Sequence, residues 1–365
     1  MMSPLHGLKV VELARILAGP WIGQTLADLG AEVTKVESPG GDDTRTWGPP
    51  FVDQNGQQTA AYFYSCNRGK IGLRADLKTP EGIAAVKALV MDADIFIENF
   101  KVGGLAQYGL DYASLCALNP RLIYCSVTGF GQTGPLAHLP GYDFLLQGMS
   151  GLMSVTGAPD GPPQKVGVAV TDIVTGLYGT IGILAAVEQR HTTGKGQHID
   201  MSLLDCATAL LANQNMNYLV SGQSPTRMGN AHPNICPYDV FETADGHIIL
   251  AVGNDGQFRR CCDVLGLGAI GQDPRFVTNQ LRVKHRDDLL PILAKAALAR
   301  QSGDLLTAFS AQNVPAGPIN SVGDNLSSAH AKARGLVVDP QGVKGVRTPI
   351  VFSDATLTLD RSVPE

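Results

Sequence analysis

The first 130 residues alternate between short apolar runs and helical stretches, and this alternation restricts the fold more than any other feature of the chain. Apolar runs fall at Leu8–Leu13, Glu32–Glu37, Lys70–Leu73, Asp94–Glu98 and Leu122–Val127. Between them, one helix is predicted to open at Pro20 and stop at Gly30, and another to have Thr79 as N-cap and Pro80 as its first residue. Strands joined by helices of this length pair in parallel through right-handed crossovers, so the expected fold is α/β with a doubly wound parallel sheet. Ligands in such a sheet bind beyond the carboxyl ends of the strands. Those ends carry ARILAGP, ESPGGDDTR, NFKVGG and TGFGQTG, where glycine, polar and charged residues gather. A chain of 365 residues exceeds one core, so a second, smaller domain is expected.

A second feature is Lys165–Arg190, KVGVAVTDIVTGLYGTIGILAAVEQR. It reads as a helix with one acid, Asp172, near its start, and no other ionisable side chain but Tyr178 before Glu188. Thr171 and Asp172 are good N-cap types, and Leu177, Ile181, Leu184 and Ala185 have the spacing of a buried face. Gly176, Gly179 and Gly182 each cost up to about 1 kcal/mol against alanine in a helix, which predicts close approach by another backbone or a ligand. Asp172 therefore has two readings at this point: a helix cap, or a carboxylate facing a cavity floored by small residues.

The net charge of −5 argues against a nucleic-acid partner, so any anionic ligand has to be held locally. The N-terminus lacks a basic region before an apolar core, and no run approaches about 18 uninterrupted apolar residues, so a cytoplasmic protein without membrane association is expected. Seven cysteines fit reduced thiols; there is no CxxC, and no metal site is expected. Gly129–Gly134 formally satisfies GxGxxG, but Pro135 and Pro140 follow, so no helix starts there to receive a pyrophosphate and dinucleotide redox chemistry is not expected.

Several long motifs together resemble the class III coenzyme A transferase family of CaiB/BaiF type, which includes formyl-CoA transferase and α-methylacyl-CoA racemase. They are LHGLKVVEL, AGP at Ala18–Pro20, LADLGAEVTKVESPGGDDTR, ADLKTPEG, DIFIENF, NPRLIYCSVTGFGQTGP, GYDFLLQGMSG, D-x-x-T-G at Asp172–Gly176 and TGKGQHIDMSLLD. The resemblance implies an interlocked-ring homodimer of a Rossmann-like large domain and a smaller α+β domain. On this chain the large domain would be residues 1–201, completed by 321–365, with a helical linker at 202–224 and a small domain at 225–320. Ser202–Ser221 reads as one long helix, Tyr238–Val252 as a hairpin around Ala244-Asp245-Gly246, and Val314–Leu326 as the return.

The same resemblance assigns Asp172 as a nucleophile that attacks an acyl-CoA thioester, with coenzyme A or acyl-CoA as substrate and no permanently bound cofactor. A carboxylate is a weak nucleophile, so it has to be desolvated, and the oxyanion it creates needs nearby N–H donors. Carried over by motif, Ile16, Leu17 and Ala18 would lie along the nucleotide and pantetheine. Ala75, Asp76, Leu77, Lys78, Asn99, Phe100 and Lys101 would hold the ligand, with Lys78 and Lys101 near phosphates. Tyr142 and Asp143 would flank the thioester. Ser38 stands where formyl-CoA transferase has an arginine, which shifts that contact to Arg45 or Lys101. Gly229, Asn230 and His232 would form a substrate loop, and Arg45 and Arg68 are candidates to pair with a dicarboxylate. Where the racemase has a histidine base this chain has Tyr142, whose ordinary pKa of about 10 suits proton abstraction poorly, so transfer to a small carboxylic acid ranks above racemisation.

Overall fold

The structure is a computed structural model that describes residues 2–54 and 56–365. By contacts the chain divides into two compact units, Met1–Met153 with Lys165–Gln223 and Ala329–Glu365 as the first, and Ser154–Gln164 with Ser224–Ser328 as the second. The short excursion at Ser154–Gln164 has no counterpart in the domain limits read from sequence.

The first unit is built on six parallel strands, β1 Lys9–Glu12, β2 Glu32–Glu37, β3 Ile71–Arg74, β4 Ile95–Glu98, β5 Ile123–Thr128 and β6 His198–Ser202, in the order β3-β2-β1-β4-β5-β6. Val10, Ile95, Ile97, Ile123 and Cys125 point into one core, while Val11, Phe96 and Tyr124 point into the other. Alternate residues of each strand are thus buried on opposite faces, which is why the strands read as continuous apolar runs. The chain moves outward one way from β1 through β2 to β3, and the other way from β4 to β6. This leaves a topological switch point between β1 and β4, where their carboxyl-end loops diverge and open a crevice.

Helix α1 (Ala18–Asp28) starts two residues before the predicted Pro20, and α2 (Pro80–Val90) has the predicted Thr79 cap, whose hydroxyl accepts from Gly82 N. Helix α3 (Asp143–Met149) precedes the long α4 (Val170–Thr193). The buried face of α4 differs from the one expected. Thr171, Thr175, Gly179, Ile183 and Ala186 face inward, whereas Leu177, Ile181 and Ala185 are exposed. Close approach to α1 explains the reversal: a Cβ on Gly176 would meet Trp21 at 2.9 Å and Ala18 O at 3.1 Å, and one on Gly179 would meet Ile22 Cδ1 at 2.5 Å. Small residues let the two helices touch, and the bulky ones are left on the far side. By length and composition α4 also qualifies as a membrane-crossing segment, although its Gly-Thr-Ala face is packed within the unit.

Ser202–Ser221 is not one helix but two, α5 (Leu203–Leu210) and α6 (Ala212–Ser221), broken where Ala212 takes a φ of 40°. In the second unit β7 (Tyr238–Thr243) and β8 (Gly246–Ala251) form the predicted hairpin, and β9 (Ala316–Pro318) joins β8 antiparallel. Their inward residues, Phe241, Ile248 and Leu250, pack with Phe258, Phe276, Leu289 and Phe309 into a separate core.

Candidate active site

The crevice begins with the turn after β1. Leu13 N donates to Ile97 O at 2.8 Å, and the Arg15 peptide is clamped at both ends by Asn99, whose Oδ1 accepts from Arg15 N (2.9 Å) and whose Nδ2 donates to Arg15 O (2.7 Å). Ile16 then takes a φ of 72°, in the left-handed region that β-branched residues rarely enter. Helix α1 follows at once, with no side-chain cap on Leu17, and the N–H groups of Ala18 and Gly19 find no acceptor among the described residues. Those orphan donors give this helix end a partial positive charge.

One cleft of the first unit brings this turn together with Asn99, Phe100 and Lys101 after β4, Thr128 and Gly129 at the end of β5, Tyr142, and Asp172. The loops after β5 and before α3 are pressed together: a Cβ on Gly129 would lie 2.6 Å from Gly141 Cα, so neither position tolerates a side chain. Glu98 shapes the β4 loop by accepting from Phe100 N at 2.7 Å, and burial pushes its carboxyl up to about 7.

Asp172 is the third residue of α4, in its first turn, but it does not cap the helix. The cap comes from another helix, since Asp143 Oδ1 accepts from Thr171 N at 2.8 Å and Asp143 Oδ2 accepts from Gln147 Nε2 at 2.8 Å. The Asp172 carboxylate is therefore left without an ion-pair partner among the described residues. Burial, and then the nearby Asp143, push its pKa up to about 7. Tyr62 also feels this acid: burial first and Asp172 second push its hydroxyl up to about 12. The cations lining the cleft are Arg15 and Lys101.

Of the residues named from sequence, Ile16, Leu17, Ala18, Asn99, Phe100, Lys101, Tyr142 and Asp172 line this cleft together. Ala75, Asp76, Leu77 and Lys78 lie beyond the carboxyl end of β3, two strands from β1, where Ala75 N donates to Glu37 O and Lys78 N to Asp76 Oδ1 (both 2.9 Å). Asp143 serves as the cap just described. Arg45 and Arg68 are not among the residues that line this cleft. Arg45 is buried, donating from Nε and Nη2 to Glu37 (2.8 and 2.7 Å) and from Nη2 to Pro364 O (2.9 Å), and its guanidinium stacks over the Phe63 ring. Arg68 is likewise committed to Asp28 (3.2 and 2.6 Å) and Val346 O (3.0 Å). Gly229, Asn230 and His232 belong to the second unit, where Gly229 has a φ of 63° and the His232 ring accepts from Asn234 N at 3.0 Å. Burial, and then Arg286, hold that imidazole below its ordinary pKa. Arg15 and Tyr62 were not singled out from sequence. Arg15 sits inside the ARILAGP turn, whose position after a strand is the only signal that pointed to it.

A parallel sheet with its cleft at the switch point, a helix N-terminus and two cations around it, and one unpaired carboxylate within it define an enzyme for an anionic, partly apolar substrate. Comparison with known families narrows this further: residues 5–365 match CoA-transferase family III, and the chain belongs to that family and is a CoA-transferase. It is 58% identical to the succinate–glutarate CoA-transferase of Agrobacterium fabrum, over 99% of this chain and 92% of that one. It is 43% identical to the mouse succinyl-CoA:glutarate CoA-transferase, over 93% and 77% of the two chains. A solved CaiB/BaiF family protein from Brucella suis, 59% identical, superposes with a TM-score of 0.91 over 100% of this chain and 97% of its own.

Proposed function

We propose that this enzyme moves coenzyme A from an acyl-CoA donor to a small dicarboxylic acid of the succinate–glutarate size through covalent intermediates on Asp172. The observation that carries the reading is a carboxylate without an ionic partner, lodged in the switch-point cleft beside the orphan N–H groups of α1. Relatives that act on succinate and glutarate support the substrate class.

In this scheme an Asp172 oxygen adds to the thioester carbonyl, and the C–S bond breaks to give a mixed anhydride and CoA thiolate. The thiolate adds to the aspartyl carbonyl and expels the donor acid as carboxylate, leaving an aspartyl-CoA thioester. The acceptor carboxylate then displaces the thiolate, and the thiolate takes the acceptor acyl group, returning Asp172 as carboxylate. Every step exchanges one carboxylate or thiolate for another, so no proton transfer is needed. Each step does pass through an oxyanion, for which the N–H of Ala18, a residue of the cleft lining at the start of α1, is an uncommitted donor. Arg15 and Lys101 would hold the negative groups of the CoA ester, and Ile16, Leu17 and Val102 its apolar arm.

The enzyme is proposed to act as a homodimer. Leu177, Tyr178 and Ile181 of α4, Phe144 and Leu145 of α3, and Leu219 of α6 are apolar and exposed on the single chain, more apolar surface than isolated residues require. The interlocking of the two rings rests on the family resemblance alone. Light scattering on dilution tests the assembly, and an active, folded monomer would refute it.

A panel of acyl-CoA donors offered small mono- and dicarboxylates, with products read by mass, tests the reaction. Transfer to dicarboxylates, abolished by Asp172→Ala, together with borohydride or hydroxylamine trapping of an adduct on Asp172, is the expected result. Substantial turnover by Asp172→Ala, or hydrogen exchange at the α-carbon without transfer, would overturn it.

A further inference from the structure

The turn after β1 is gripped by side chains that do not line the cleft. Lys35 Nζ donates to Ala14 O at 3.0 Å, Asp42 Oδ1 accepts from Ile16 N at 3.4 Å, Cys66 Sγ donates to Ile16 O at 3.4 Å, and Lys70 Nζ donates to Pro20 O at 2.9 Å. Four of the charges behind this grip form a continuous buried chain. Asp42 Oδ2 lies 2.9 Å from Lys35 Nζ, Lys35 Nζ 3.1 Å from Glu12 Oε1, and Lys70 Nζ 2.8 Å from Glu12 Oε2, all four side chains being 0% exposed. Gly23 on α1 makes room for it, because a Cβ there would collide with the Glu12 carboxylate.

Two cations and two anions cancel, so the chain adds no net charge to the core. Such a buried network gains little stability over apolar side chains of the same size, and its best-attested use is to select one conformation. Here the selected conformation is unusual. Ile16, a β-branched residue at a φ of 72°, persists only where its surroundings over-determine it. Its carbonyl and N–H are both held, and the next residues begin α1. Ala18 O in turn lies 3.1 Å from where a Cβ on Gly176 would be, one turn along α4 from Asp172.

We propose that Asp42, Cys66 and the Glu12–Lys35–Lys70 chain are positioning residues that hold Ile16 in its left-handed turn and so set the unpaired N–H groups of α1 against Asp172. The proposal rests on the reading of Asp172 as the nucleophile. It gives the GGDDTR motif a role: Asp42 fixes the turn, Asp43 pairs with Arg15 at 2.9 Å, and Arg45 anchors the loop to Glu37.

The test is steady-state and single-turnover kinetics on the full-length enzyme with succinyl-CoA and glutarate. Asp42→Asn is expected to lower kcat by about 10- to 100-fold, the scale of a small misplacement of catalytic groups, with KM for the acyl-CoA within about threefold. Adding Ile16→Gly to Asp42→Asn is expected to recover about tenfold or more, since glycine adopts the left-handed turn without restraint. Cys66→Ala should lower kcat several-fold, and Cys66→Ser, whose hydroxyl still donates to Ile16 O, should restore it. A fall in melting temperature with kcat unchanged in Asp42→Asn and Cys66→Ala, or losses that neither Ile16→Gly nor Cys66→Ser recovers, would overturn the proposal. If Asp42→Asn does not fold, the Cys66 pair decides alone. Asp172→Ala run in parallel keeps the two ideas apart: its retained turnover removes the nucleophile itself, whereas its silence beside unaffected Asp42→Asn and Cys66→Ala enzymes removes only the positioning role.

Discussion

Asp172→Asn separates the electrostatic position of this carboxyl from its chemistry. The side chain keeps its size and loses its charge, so it mimics the protonated acid. A carboxyl whose pKa rises from 3.8 unfolded to about 7 folded binds its proton more tightly in the folded protein. The folded state is therefore favoured below about pH 4, and it loses that advantage as pH rises to about 7. At about 1.4 kcal/mol per tenfold, the full difference amounts to about 4 kcal/mol. Asp172 is only partly buried, and solvent screening at such a site reduces this to about 2 kcal/mol. Thermal unfolding followed by circular dichroism at about pH 3.5 and about pH 8 should find the variant and the wild type nearly equal at the lower pH, with the variant melting a few degrees higher at the upper one. Transfer should be absent from the variant at both values. In the wild type, kcat/KM should rise with pH and level off above about 7, because the ionised form is the nucleophile. A variant less stable than the wild type at pH 8, or a gap that does not widen with pH, would refute the claim that burial and Asp143 oppose the charge at this position.

Gly179→Ala adds a Cβ 2.5 Å from Ile22 Cδ1, so it should destabilise by about 1–3 kcal/mol in chemical denaturation and weaken transfer by displacing α4 from α1. Arg45→Ala takes from the buried Glu37 its closest cation, leaving the Asp42 N–H at 2.8 Å and a more distant Arg74, which should cost about 3–5 kcal/mol while leaving KM for acyl-CoA in the folded fraction unchanged. Arg15→Ala should do the reverse, raising KM by about fivefold with little loss of stability, since its side chain is half exposed. Tyr142→Phe should lower transfer by at most about tenfold, the worth of one hydrogen bond, whereas a tyrosine acting as proton-transfer base would cost about 10²–10⁴.

Much of the sheet was legible because its strands are buried on both faces, and the alternation of apolar run and helix leaves little choice of topology. Glu32–Glu37 is a strand over the very residues predicted, and Thr79 caps its helix as expected. Boundaries drifted where a rule of thumb met tertiary context: Pro20 is tolerated at the third position of α1 because no N–H is required there. The face of α4 was misread because large apolar residues are ordinarily the buried ones, whereas here the close contact with α1 is made by glycines against Trp21 and Ile22. Arg45 and Arg68 looked like ligand contacts because they lie in loops beside the sheet. Their carboxylate partners, Glu37 and Asp28, stand on elements that only the fold brings beside them. Arg15 was passed over for the converse reason, being one cation in a turn read mainly for its glycine and proline.

The two readings of Asp172, cap and nucleophile, cannot be told apart from sequence, because both want an acid in the first turn of a helix. What divides them is which atom accepts from the first N–H groups of α4. Asp143, 29 residues earlier in the chain, takes that role at Thr171 N and is held in place by Gln147. This arrangement frees Asp172 from the local hydrogen bond that would have lowered its basicity and fixed its rotamer, and it adds a second negative charge nearby. The helix N-terminus still favours an anion at this point, while burial and Asp143 oppose it. A carboxylate poised near neutrality by these opposing influences keeps enough of its ionised form to attack and enough basicity to be a usable nucleophile. Asp143→Asn keeps an oxygen that can accept from Thr171 N but removes the neighbouring negative charge, so it should lower the pH at which transfer reaches its plateau.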